Sequence, residues 1–253
     1  MKKNPTIKPT MIKSGNPALS KKTFENLKST SDEVMTLDGA VNKTAISVGI
    51  LVIAGYYTYS NAIMDYVLIG SIGGFVLAII TIFKKEWSPI TVPIYAVLEG
   101  LALGGISKMY ANAFEPGIVP QAIMLTLGIL CALLFAYKTK LIKATENFKL
   151  GVFAATAGIG VVYLISFLMS MFGGGGLPVM DPSNASMLSI GFSLFVVVIA
   201  SLNLVMDFDF IEKGVENGAP KYMEWYGAFG LLVTLIWLYL EILKLLAKLS
   251  SRK

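Results

Sequence analysis

The sequence predicts an all-α, polytopic membrane protein, a bundle of seven transmembrane helices. Three observations predict it. Hydrophobic residues make up 55% of the chain and charged residues only 15%, against roughly a quarter charged in soluble domains. Seven apolar stretches each approach the ~20 residues that cross ~30 Å of hydrocarbon. None shows the alternating pattern of a membrane barrel, so backbone groups that find no partner in lipid must be satisfied within helices.

Residues 1–42 precede these stretches as a polar, lysine-rich tail. No hydrophobic core follows its basic cluster, so no cleavable signal peptide is expected in it. Within it, "SGNPALSKKTFENL" places Phe24 and Leu27 three apart, which fits either a short interfacial helix or a flexible tail. The transmembrane domain covers 43–250, and 251–253 form a C-terminal tail.

The apolar stretches run over 44–62, 66–83, 89–112, 119–137, 151–172, 187–207 and 222–247. Each separator reads as a turn. "KKEWSP" ends in Pro89, which suits the first turn of the third helix. "EPGIVP" and "GGGGLPVMDPSN" are rich in Gly and Pro and carry no lysine, whereas "YKTKLIKATENFK" is basic and "IEKGVENGAPK" mixes both signs. Basic charge on the tail and on alternate loops places the amino terminus in the cytoplasm, and a plasma (inner) membrane is the expected location. The basic ending "KLLAKLSSRK" disagrees with seven crossings. Either the other loops outvote it or the last segment re-enters; seven crossings is the expectation carried forward. Gly70 and Gly74, Gly100 and Gly104, and the run Ala154 to Gly160 are spaced to let helix backbones approach closely.

Composition narrows the chemistry. There is no histidine, so any proton sensing falls to carboxylates. The single cysteine, Cys131, lies in an apolar run and reads as a packing or lipid-facing residue. No Cys/His cluster, HExxH or Gly-x-Gly-Asp stretch is present, so neither an enzyme nor a bound cofactor or metal centre is expected. No basic soluble face suggests nucleic acid.

The acids that interrupt apolar sequence are the candidates. A carboxylate in hydrocarbon costs a few kcal/mol at least, so it normally faces protein or water and often marks a pathway. Glu99 sits mid-helix in "YAVLEGLALGGIS" as a pore-lining candidate, or as a protonated residue bonded to a neighbouring helix. Asp207 and Asp209 close the sixth apolar stretch, Glu224 opens the seventh, and Glu241 lies deep within it. These four are the candidate pH-sensing and gating groups. Glu241 is followed by Lys244 and Lys248, so a wet helix end is its plain alternative. Asp207 and Asp209 lie about 200° apart around a helix, so only one can point inward.

"VMDFDFIEKG" together with "LYLEILKLL", and "EGLALGGIS" in the third helix, resemble the Bax inhibitor family of transmembrane Bax inhibitor motif proteins, over about residues 44–250. The tail looks like that of a bacterial subgroup. The resemblance implies a bundle with the last helix central, wrapped by the others in antiparallel pairs. It also implies a pH-sensitive calcium leak, gated by an acidic pair from the last two helices that shares a proton. By motif, Asp207 matches the sixth-helix partner and Glu241 the seventh, while Asp209 falls where the family often has an amide or polar residue.

The residues themselves strain that pairing. A tight hairpin centred on "ENGAP" puts Asp209 level with Glu224 or Trp225, and Glu241 level with Ser193. Asp207 and Glu241 then stand around 20 Å apart. Either the partner is Glu224, or the loop is asymmetric, or no dyad exists. The expected function is a calcium or cation leak channel with bilayer and calcium ions as its partners. The alternatives are a modulator of a membrane protease, working through the tail, and a proton-coupled cation exchanger.

Overall fold

The computed structural model describes residues 33–252; the stretch around Phe24 and Leu27, read as either an interfacial helix or a flexible tail, lies outside them. Seven helices follow in order: α1 Leu37–Asn61, α2 Asp65–Phe83, α3 Ser88–Ala113, α4 Ile118–Lys138, α5 Glu146–Met171, α6 Met187–Glu216 and α7 Met223–Ser250. All seven are long and apolar enough to cross a membrane, and no strand occurs among the described residues. Short 3₁₀ turns at Lys85–Trp87 and Pro178–Met180 lead into α3 and lie before α6.

The helices outrun the apolar stretches that revealed them, because hydropathy marks only the part in hydrocarbon. Their starts are set by polar caps. Thr36 accepts from Gly39 N at α1, Thr145 from Phe148 N at α5, and Ser186 from Ser189 N at α6, which satisfies amides that have no partner within the first turn. α1 therefore begins inside the predicted tail. α6 continues to Glu216, so Asp207 and Asp209 do not close it as the apolar pattern suggested.

Packing is uneven. α7 is central as expected: it meets α1, α3, α4 and α6, and an apolar core of Phe229, Leu232, Leu238 and Leu243 runs along it. α1 and α2 both lie against α3, at the glycines the sequence singled out. A Cβ on Gly104 would strike the backbone of Gly55, and one on Gly70 the backbone of Leu98 and Ala102. The same reading fails on α5, where Gly158 and Gly160 have no neighbour within 4 Å of a would-be Cβ. α5 packs chiefly on α6, through a small apolar cluster of Ile159, Val196 and Ile199.

The residues just before α1 are tied to the α6–α7 turn. Met35 N donates to Ala219 O at 2.7 Å and Lys221 N to Glu33 O at 3.2 Å, while Val34 pairs with Pro220 as an isolated bridge.

Candidate functional site

The five acids that the sequence marked fall into five separate settings. Asp207, Glu224 and Glu241 are 0, 1 and 3% exposed, which removes the wet-end reading of Glu241. Glu99 is half-buried on α3 and lies against α2, where its carboxylate fills the space a Cβ on Gly74 would need.

Glu224 is structural in its contacts. Its Oε1 accepts from Thr36 N at 3.0 Å and Thr36 Oγ1 at 2.8 Å, and pairs with Lys221 at 3.1 Å. Gly39 is required beside it, since a Cβ there would strike the carboxylate. The acid thus anchors the start of α1 to the start of α7, and its observed partners are donors and a cation, not a second acid.

Asp209 sits between two lysines. Its Oδ2 is 2.8 Å from Lys149 Nζ on α5 and 2.7 Å from Lys213 Nζ one turn along α6. Glu146 adds a 3.4 Å contact to the same Lys149. Lys149 is only 2% exposed. The 200° separation holds: Asp207 faces the core while Asp209 meets this boundary cluster.

Glu241 has its own pair of donors. Tyr163 Oη on α5 donates to Oε1 at 2.5 Å, and Lys244 Nζ lies 2.9 Å from the same oxygen. Lys244 also stacks over the Tyr163 ring at 5.2 Å. Two turns beyond Glu241, the ammonium of Lys248 is buried among Val179 O at 2.6 Å, Ser193 Oγ at 2.8 Å and Ser189 O at 3.2 Å.

These contacts correct the hairpin register. Ile211 packs on Gly227, and Ser193 meets Lys248 rather than standing level with Glu241. Asp207 therefore lies level with the turn from Leu231 to Thr234, and Glu241 stands about 10–15 Å further along α7. Asp209 is not level with Glu224. At this separation Asp207 and Glu241 do not form a hydrogen-bonded pair in this state.

Sequence reasoning missed Lys149 and Lys248, reading one as a loop charge and the other as a wet end. It also missed Asn203, 1% exposed on α6. Asn203 Nδ2 donates to Thr156 Oγ1 on α5 at 2.8 Å and to Ile199 O at 2.9 Å. A signal was present: Lys149, Thr156 and Tyr163 recur every seven residues along α5, a spacing that keeps them on one face. Among the described residues, no three His, Cys, Asp or Glu side chains gather as a metal site.

Seven spanning helices with carboxylates buried between them define a polytopic membrane protein whose polar chemistry lies inside the bundle. Residues 16–251 match the family profile described as Bax inhibitor 1 like, nearly the whole chain, and the protein belongs to that family. Comparison with curated proteins gave no match.

Proposed function

We propose that this protein is a passive, proton-sensitive cation pathway with calcium as cargo, not an enzyme, set in a bacterial inner membrane with its amino terminus in the cytoplasm. The observation that carries the reading is the burial of Asp207 and Glu241 within spanning helices, at 0 and 3% exposure. Holding carboxylates there costs a few kcal/mol, which a purely structural bundle avoids by using apolar side chains. Carboxylate, amide and carbonyl oxygens are also the ligands that hard cations such as calcium take.

The proton dependence follows from the partners of each acid. Asp209 faces Lys149, Lys213 and, through Lys149, Glu146. Glu241 faces Tyr163 and Lys244, with Lys248 beyond. Ionised acids attract a cation in place of the lysine that holds them. Protonation cancels that attraction, so flux falls on acidification. The acids of the two clusters act separately rather than as an Asp207–Glu241 dyad.

The test is calcium entry into proteoliposomes followed with a trapped indicator. The expected result is protein-dependent flux that falls as pH is lowered, with a flattened pH dependence in Asp209→Asn and Glu241→Gln. Equal flux with and without protein ends the reading. Proton movement coupled to calcium at a fixed ratio would reassign the protein as an exchanger.

A further inference from the structure

A file of polar side chains follows the seam between α5 and the α6–α7 pair. On α5 it comprises Lys149, Thr156, Tyr163 and Ser170, which span about 31 Å along the helix, the thickness of the hydrocarbon core. Each of the first three meets a polar partner across the seam: Asp209, Asn203 and Glu241 in turn. Past Tyr163 the seam widens into a cavity of about 280 Å³ lined by Ser166, Ser170 and Lys244. The larger cavity, about 410 Å³ between α1, α3, α4 and α7, is almost wholly apolar and has no charged lining residue.

The centre of the file carries an acceptor with nothing to accept from. Ile199 O can only accept, so the 2.9 Å bond to it identifies the donor nitrogen of Asn203 and fixes the amide orientation. Asn203 Oδ1 is left buried without a hydrogen-bond partner among the described residues. A buried acceptor in that condition is costly, and native proteins rarely tolerate it unless water or an ion fills the place. Asp207 lies one turn further along the same face of α6 and is fully buried.

We propose that this seam is the cation route, closed at one end by Lys149, which ties α5 to Asp209 beside Lys213, and at the other by Lys244 on Glu241, with Asn203 Oδ1 as a cation-binding oxygen midway. The lysine ammoniums occupy the places a passing cation takes at the two acids, and α5 is the wall that moves. α5 suits this, because it is fastened by polar pairs and only a small apolar cluster. The proposal rests on the conduction reading above but locates the path, which that reading does not.

Two measurements separate the claims, both in a Cys131→Ser background. The first is modification of Thr156→Cys in proteoliposomes by a charged, water-soluble thiosulfonate, which reacts only where water reaches the thiol. The seam predicts labelling, and at least a several-fold faster rate when Lys149→Met is added. The second is calcium flux. Lys149→Met should raise it several-fold, Lys149→Arg should leave it near wild type, and Asn203→Leu should reduce it at least tenfold. An oxidised Ile159→Cys/Val196→Cys bridge, which pins α5 to α6, should block flux until reduced. Flux with an inert Thr156→Cys overturns the seam and leaves conduction standing. Labelling without any flux overturns conduction and leaves a wet seam. If Lys149→Met fails to fold, the bridge and the labelling rate of Thr156→Cys alone decide the matter.

Discussion

The bundle has two halves held together by different physics. α1, α2 and α3 meet backbone to backbone at Gly70, Gly100 and Gly104, where a Cβ would collide with the neighbouring helix, and at Gly55, where it would be tight. α5 meets its neighbours through Lys149–Asp209, Thr156–Asn203 and Tyr163–Glu241, and its own glycines touch nothing. Lipid tails are as apolar as leucine, so association in a bilayer depends on close packing and on polar contacts. Close packing is rigid and all-or-none. Polar pairs hold by charge and hydrogen bonding, so one half depends on backbone fit and the other on the partners of a few buried polar groups.

Substitutions can break or sharpen that contrast. The largest effect is expected from Gly104→Leu, which forces α1 and α3 apart at Gly55. It should cost about 3 kcal/mol or more and abolish the monodisperse peak in detergent size-exclusion chromatography. Glu224→Ala comes next. It leaves Thr36 and Lys221 without their shared acceptor, at about 1–3 kcal/mol, read as a lowered melting temperature and faster proteolysis just before α1. Lys149→Ala is smaller and local, since Lys213 still holds Asp209. Amide exchange should accelerate in the first turns of α5 and stay unchanged in α1–α3. Gly158→Ala should be neutral or stabilising by up to about 1 kcal/mol, because its Cβ enters open space and helix propensity improves. A marked loss on Gly158→Ala would sink the two-halves picture.

The seven helices were legible in the sequence because hydrocarbon imposes a length and a composition on anything that crosses it. The buried acids were legible for the same reason, as exceptions to that composition. The register between α6 and α7 was not, because both helices continue past their apolar segments and the turn at Asn217–Tyr222 is placed by caps and contacts, not by hydropathy. The partners of the acids were hidden too. Lys149 and Lys248 look like boundary charges in the chain and become interior groups only once α6 and α7 supply their oxygens. The conflict over the basic carboxyl end eases for the same reason: Lys244 and Lys248 are engaged within the bundle rather than displayed on a loop.

The short stretch Glu33–Thr36 is stitched to the turn at Ala219–Lys221 and to Glu224. Tension on the leading segment therefore arrives first at the base of the central helix, before α1 can absorb it. Anything that grasps the amino-terminal arm holds a handle on the bundle's axle.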